Sequence, residues 1–374
     1  MNIYILKETK EFENRVAISP EVVKKLISLN HTITIEPGAG NLSCVSDNDL
    51  EEAGAVISSD FSNADIFFKV NAPSNGELDN IKDSSALITF FQIKDEINNI
   101  SKYMDKNLTL YSMSHIPRTT LAQNMDALSS QSNIAGYKSV VIGADHISKY
   151  MPLLMTAAGT IQPAKVLILG AGVAGLAAIA TAKRLGAQVF AFDVRPVVKE
   201  QVESLGAKFI EVESDSEEGV GEGGYAKEVS DDYKQKQSEL IKETIAKMDM
   251  VITTALIPER PAPKLIDKAM VESMKSGSAI MDLAALNGGN CELTICDKIV
   301  NHNGVIIDGR SNLPGTMPKH SSQLYSKNLF NLFNHIYKDE SIDFEDEIVN
   351  GSMLLNKGKV NNPTLQQFID GENK

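Results

Sequence analysis

Three glycines, Gly170, Gly172 and Gly175, stand between an apolar strand-like run, Val166 to Leu169, and a helix-type stretch that opens at Val173. A second short strand, Gln188 to Phe192, ends on Asp193, eighteen residues past the last glycine. That spacing is the fingerprint of a loop that cradles a dinucleotide. Gly170 permits the tight turn, Gly172 lets the backbone approach a pyrophosphate, and Gly175 lets the helix lie close to the strand. The helix start adds unpaired N–H donors and the positive end of the helix dipole. Asp193 stands where a carboxylate accepts hydrogen bonds from the adenosine ribose, and its charge repels a 2′-phosphate, so NAD(H) is expected rather than NADP(H). Arg195 follows closely and could meet such a phosphate, which pulls the preference the other way. The candidate cofactor-binding residues are therefore Gly170, Ala171, Gly172, Val173, Ala174, Gly175, Asp193, Val194 and Arg195. An ordinary strand–turn–helix crossover would explain the glycines but has no need of Asp193.

A second constellation is Arg118, Gln123, Asp126 and Ser129, in the run IPRTTLAQNMDALSSQSN at the junction of two α/β regions. Ligands of two-domain α/β proteins tend to bind in the cleft between the domains. Gln offers a donor and an acceptor to a carboxamide, Arg donates in a fork, and Asp can orient either. This set suits the gripping of a nicotinamide amide and lacks a proton shuttle. Helix capping by Thr119 or Thr120, with Arg118 and Asp126 as a surface pair, explains the same residues, and both readings stay open on spacing alone. None of the six histidines has an arrangement that marks a catalytic base. No metal site is expected. The acidic, glycine-rich stretch Glu213–Asp232 fits either a solvated loop or a lid that closes over a ligand, with Tyr225 as the aromatic it would place.

The rest of the chain must position these groups. Its 374 residues are enough for two domains. Net charge is −13, from 36 basic and 49 acidic residues, which argues against nucleic acid and against anionic lipid as partners. The uncharged run Val166–Ala182 approaches the ~20 residues of a membrane span, but its glycines and its fit to the fingerprint favour strand–turn–helix. The N-terminus has no basic region followed by an apolar core, so no signal peptide is expected. Cys44, Cys291 and Cys296 are too few and too scattered for a disulfide framework or a zinc site.

Strands are expected at Ile3–Leu6, Thr32–Glu36, Asp65–Val70, Ala86–Phe91 and Leu108–Met113, with helices at Pro20–Leu29, Asp47–Ala53 and Lys94–Met104. This alternation argues for a parallel sheet covered by helices. A long helix is expected over Ala135–Met155, ahead of the fingerprint. Beyond the fingerprint, strands are expected at Ala207–Val212, Met250–Thr254, Ser278–Asp282 and, last, Gly304–Asp308, with helices at Ser238–Lys247 and Lys264–Lys275. A helix from His320 places Tyr325, Leu329, Leu332, Phe333 and Ile336 on one face and should cross back to the first domain. An acidic turn, Asp339–Glu347, and a hairpin-like end, Met353–Val360, follow. The expected fold is α/β, with two Rossmann-like, doubly wound parallel-sheet domains separated by a cleft. One is discontinuous, residues 1–133 plus 316–374, and the NAD-binding domain covers 134–315.

Long segments then point to a family. KETKEFENRVAISPEVVKKL, IPRTTLAQNMDALSSQSNIAGYKSV, TAAGTIQPAKVLILGAGVAGLAAIATAKRLGA, FDVRP, GGYAKEVSDDY, TTALIPERPAPKLI, DLAALNGGNCELT and LPGTMPKHSSQLY span nearly the whole chain. The chain resembles the NAD(H)-binding component of proton-translocating nicotinamide nucleotide transhydrogenase. The resemblance implies that Arg118, Gln123, Asp126 and Ser129 position the dihydronicotinamide against an NADP(H) nicotinamide held by a separate subunit. It puts the family's mobile-loop tyrosine on Tyr225, its ribose-binding acid on Asp193, and its cofactor segment on Thr254, Ala255 and Leu256. It also implies a homodimer working with membrane-spanning and NADP-binding subunits. The chain would then insert no segment of its own and would lie on the cytoplasmic face of a bacterial inner membrane.

Two positions depart from the family pattern: Glu259 replaces a glycine, and Leu286 occupies a position that is often polar. The competing resemblance is to alanine dehydrogenase, an NAD-dependent amino-acid dehydrogenase. Its substrate arginine and lysine fall on Arg15 and Lys69, both present, but its catalytic histidine falls on Gln92 and its catalytic aspartate on Leu286. Hydride transfer between two nicotinamides moves no proton at the reacting carbon and needs neither group. It needs positioning, with reacting atoms ~3–3.5 Å apart.

Overall fold

A computed structural model describes residues 1–212, 231–256, 260–338 and 342–371. Its chain divides into two units, Met1–Gln131 with Pro314–Lys374, and Ser132–Leu313.

The first unit opens with strands β1 (Asn2–Ile5), β2 (Thr32–Ile35), β3 (Val56–Ile57), β4 (Ile66–Asn71), β5 (Ala86–Phe90) and β6 (Thr109–Ser112). All pair in parallel, in the order β6-β5-β4-β1-β2-β3. Parallel neighbours need crossovers. Helices α1 (Pro20–Ser28), α2 (Asp47–Glu52), α3 (Asn75–Asn80), α4 (Ile93–Glu96) and α5 (Ile100–Asp105) supply them. Pro20 fixes the first turn of α1, and capping boxes Ser46/Asp49 and Ser74/Glu77 open α2 and α3. The expected helix Lys94–Met104 is instead α4 and α5 with a 3-10 turn, Ile97–Asn99, between them. Asn98 and Asn99 favour turns over helix interiors.

Helix α6 (Ala127–His146) begins eight residues before the expected helix start at Ala135 and ends nine residues before its expected end at Met155. Pro152 bars the helix from reaching Met155, and a hairpin, β7 (Leu154–Thr156) with β8 (Gly159–Ile161), takes the place of its expected end. The second unit continues through β9 (Lys165–Leu169), α7 (Val173–Arg184), β10 (Gln188–Phe192), α8 (Lys199–Ser204), β11 (Lys208–Phe209), α9 (Asp231–Ile245), β12 (Met250–Thr253), α10 (Lys268–Ser273), β13 (Ala279–Asp282), β14 (Ile299–His302) and β15 (Val305–Asp308). The sheet order is β11-β10-β9-β12-β13-β15-β14, parallel throughout except that β14 runs against β15. The expectation of Gly304–Asp308 as a lone last strand missed β14, whose outer edge position leaves it half-exposed and weakly patterned. The strand expected at Ala207–Val212 shrinks to two paired residues, and the helix expected at Lys264–Lys275 to Lys268–Ser273.

The chain then returns to the first unit through α11 (Pro318–Tyr337). Tyr325, Leu329, Leu332, Phe333 and Ile336 are all buried against that unit's sheet, as their shared face requires. Each such side chain contributes roughly 1.5–3 kcal/mol on burial. Helix α12 (Glu347–Ser352), strands β16 (Met353–Asn356) and β17 (Lys359–Val360) and helix α13 (Pro363–Asp370) complete the unit, with β16 antiparallel to β6. No helix among the described residues is long and apolar enough to cross a membrane.

One close approach sets the second unit. A Cβ on Gly136 of α6 would lie 2.1 Å from the Ala174 carbonyl oxygen at the start of α7. Gly136→Ala should therefore force the two helices apart and destabilise the fold by about 1–3 kcal/mol. Gly76 of α3 faces open space, and Gly76→Ala should gain about 0.5–1 kcal/mol. Chemical denaturation of the two variants checks this, and a Gly136→Ala protein as stable as the parent would refute the packing argument.

Candidate functional site

In the second unit the strand order reverses direction at β9, with β10 on one side and β12 on the other. Ligands of such sheets bind outside the carboxyl ends of the strands at this switch point. Three segments meet there. Gly170 leaves β9 at φ +102, and a Cβ on it would lie 2.5 Å from the Thr254 hydroxyl. A Cβ on Gly175 would lie 1.9 Å from the Gly170 carbonyl oxygen, so only glycine permits this helix-to-strand approach. Gly172 is the N-cap of α7 and has no side chain with which to cap it. A Cβ there would stand in open space, the nearest atom being Arg195 Nη2 at 4.0 Å. Open space beside a helix N-terminus whose first N–H groups lack a side-chain cap is a fit for a pyrophosphate.

Asp193 is buried behind this loop. Its Oδ2 accepts the Ala171 N–H at 2.7 Å, and its Oδ1 accepts the Arg195 backbone N–H at 2.9 Å. The Arg195 guanidinium donates to both oxygens, at 2.8 Å each. The carboxylate thus braces the glycine loop, and Arg195 occupies the oxygens that a ribose would use. Val194 packs against the apolar core beneath the sheet. On the other side of β9, Thr254 donates its N–H to the Leu169 carbonyl at 2.8 Å and its hydroxyl to the Gly170 carbonyl at 3.0 Å. Ala255 is clamped by the fully buried Asn290, which accepts the Ala255 N–H at 3.1 Å and donates to its carbonyl at 2.9 Å. Leu256 is exposed. Asn290 went unrecognised in the sequence; its signal is the residue after the glycine pair in NGGN.

In the first unit, Arg118, Gln123, Asp126 and Ser129 lie on the segment that leads from β6 into α6. Arg118 and Gln123 are exposed and Gln123 opens a 3-10 turn, Gln123–Met125. Asp126 accepts the Ser129 N–H at 2.8 Å and the Ser129 hydroxyl at 2.6 Å. Asp126 is therefore the cap of α6, and the expected cap at Thr119 or Thr120 is displaced because the helix opens later, at Ala127. Tyr225 and Glu259 lie outside the described residues.

The first unit's sheet has the same strand order, and its switch point between β1 and β4 is filled with charge. Arg15 grips Glu13 through Nε at 2.7 Å and Nη2 at 2.6 Å and donates Nη1 to Gln131 at 2.9 Å. Lys69 reaches Glu8 at 3.1 Å and Glu77 at 3.4 Å. Asn71 bridges Glu8 and Glu13, at 3.0 and 2.9 Å. Burial pushes the Glu13 carboxyl up, but Arg15, helped by Asn71, wins and holds it at about 2. Glu8 goes the other way: its burial outweighs the attraction of Lys69 and raises it above the usual carboxylate range. Gln92 and Leu286 are both exposed, Leu286 at 55%.

Residues 4–135 match the family model described as the alanine dehydrogenase/PNT N-terminal domain, and residues 139–363 match the C-terminal domain. The chain is 45% identical over 379 residues to an NAD(P) transhydrogenase subunit alpha polypeptide of Rhodospirillum rubrum, covering 98% of this chain and 99% of that protein. It superposes on the crystal structure of a transhydrogenase from Sinorhizobium meliloti with a TM-score of 0.86 at 41% identity, covering 97% of this chain and 100% of the other. It is 31% identical to alanine dehydrogenase 2 of Staphylococcus aureus over 86% of this chain and 83% of that one.

The candidate cofactor site makes a direct prediction. Asp193→Asn keeps the side chain's volume but removes the charge that braces the glycine loop through the Ala171 N–H and Arg195, and NADH should bind at least tenfold more weakly, hydrogen bonds to a charged group being worth about 1.5–3 kcal/mol. The chain has no tryptophan, so NADH fluorescence reads binding without protein interference. Unchanged affinity would remove Asp193 from the site.

Proposed function

The chain belongs to the alanine dehydrogenase/PNT family, and we propose that it is the NAD(H)-binding component of a proton-translocating transhydrogenase. Family membership implies NAD(H) binding and an oxidoreductase-related role. In the proposed reaction the C4–H bond of NADH breaks. The hydride, carrying both electrons, bonds to C4 of NADP⁺ on a partner subunit, giving NAD⁺ and NADPH. No proton is exchanged at either carbon.

One observation carries this reading over an amino-acid dehydrogenase. At the positions where alanine dehydrogenase would place its catalytic histidine and aspartate, this chain has Gln92 and Leu286, both exposed and neither able to titrate. An alcohol or amine cannot be oxidised there without a proton acceptor, whereas two nicotinamides need only be held in place. The engagement of Arg15 by Glu13, and of Lys69 by Glu8 and Glu77, supports the same choice.

On this reading Gly170 to Gly175 hold the pyrophosphate, and Asp193, Val194 and Arg195 the adenosine ribose. Thr254, Ala255 and Leu256 line the nicotinamide side. Arg118, Gln123, Asp126 and Ser129 fix the reacting ring, with Tyr225 assigned to the same task by resemblance. Proton translocation falls to a membrane-spanning partner, which holds this chain at the cytoplasmic face of a bacterial inner membrane. A second copy of the chain would cover the hairpin β7–β8. An isolated two-stranded hairpin is marginal in water, and this one exposes Leu153, Met155 and Ile161.

Mixing the chain with an NADP-binding component, NADPH and an oxidised NAD analogue should give reduction of the analogue. Arg118→Ala and Gln123→Ala should slow it by one to two orders of magnitude, roughly the cost of misplaced reacting atoms. No reduction in the mixture would sink the proposal, and L-alanine-dependent NADH formation by the chain alone would replace it with the dehydrogenase. In sedimentation, Met155→Asp with Ile161→Asp should convert a dimer to a monomer. A parent protein that is itself monomeric would rule out the pairing.

A further inference from the structure

The segment Gln123–Ser129 presents its polar side chains outward, yet its two ends are tied to one side chain. Asn328, in the middle of α11, is buried. Its Nδ2 donates to the Asn124 carbonyl at 2.9 Å, and its Oδ1 accepts the Ser130 hydroxyl at 2.7 Å. The orientation of the amide is fixed by chemistry, since a backbone carbonyl can only accept and the nitrogen end must face it. Asn124 follows Gln123, and Ser130 follows Ser129. Between these two anchors lie Asp126, which caps α6, and Met125, which is sunk in the core. Asn331, one turn further along α11, donates to the same Asn124 carbonyl at 2.9 Å.

We propose that Asn328 is a positioning residue for hydride transfer: it clamps both ends of the segment that presents Gln123, Asp126 and Ser129, and so sets their geometry against the nicotinamide. This inference rests on the transhydrogenase reading above. The hydrogen bonds of the clamp lie within the first unit, whereas Gly170–Gly175 and Asp193 belong to the second. Its loss should therefore change how well the ring is held, and leave the affinity of the whole dinucleotide nearly untouched. Positioning of this kind is steep, and a displacement of about 1 Å costs on the order of a hundredfold in rate.

The test uses the full chain mixed with its NADP-binding partner. Asn328→Ala should lower the hydride-transfer rate at saturating nucleotide at least tenfold, while the NADH dissociation constant from fluorescence stays within twofold of the parent. The emission of bound NADH should fall as the ring loses its fixed surroundings. Asn328→Asp keeps the acceptor for Ser130 but sets a carboxylate against the Asn124 carbonyl, and it should fail equally. Ser130→Ala removes half the clamp with little threat to folding and should slow transfer about threefold; combined with Asn328→Ala it should add nothing further. An Asn328→Ala rate equal to the parent's, with Ser130→Ala also unaffected, overturns the inference. So does a rate loss matched by an equal loss of NADH affinity. If Asn328→Ala does not fold, Ser130→Ala decides alone. A parent mixture that transfers no hydride overturns the functional reading, and this inference falls with it.

Discussion

The second unit depends on backbones that pass closer than any side chain allows. Gly175 lies against the Gly170 carbonyl, and Gly136 against the Ala174 carbonyl. The start of α7 is thereby caught between the end of β9 and the flank of α6. Nothing at this helix start can tilt without a clash, so its N–H groups keep one direction. Thr254, just past β12, and Asp193, just past β10, then close the loop from either side with hydrogen bonds to its backbone. The features that fit the loop to a phosphate are the same ones that make it rigid.

The two sheets share a strand order but use its switch point differently. In the second unit the point is kept open by glycine. In the first it is filled by Glu8, Glu13, Arg15 and Lys69, all buried. Desolvating two cations and two carboxylates is expensive, and such a group persists only where geometry and hydrogen bonding are nearly complete. Here Arg15 is bidentate to Glu13, Asn71 joins the two carboxylates, and Val70 donates its backbone N–H to Glu8 at 2.7 Å. Breaking one member would strand another charge, so the group holds β1, β4 and the start of α6 together as a set.

The parts legible in the sequence are those fixed by short-range rules. The glycine spacing, the β-branched strands and the apolar stripe of α11 each announce themselves within a window of a dozen residues, and the α/β architecture follows from their alternation. The cap at Asp126 was hidden because Ser129–Asn133 is polar, and the buried stripe at the start of α6, Ala127, Gln131 and Ile134, has an amide in its middle, which masks the apolar period. The edge strand β14 was hidden because an edge needs no alternating pattern. The roles of Asn290 and Asn328 were hidden for another reason: an asparagine looks the same whether it caps, turns or clamps. Only the fold reveals that Asn328 meets Asn124 across 204 residues of chain.

That long separation explains why the first unit is built from both ends of the chain. The proposed reaction, hydride between two rings with no proton moved at carbon, would give the protein little to do except hold geometry. The segment from Arg118 to Ser129 buries only Ala122, Met125 and Ala127 in the core, so its polar positions need further ties. The chain leaves it, builds the whole second unit, and comes back as α11 with an apolar face for the core and amides for the segment. On the proposed function, the discontinuous topology would supply this segment with the one thing that the chemistry requires, a fixed geometry.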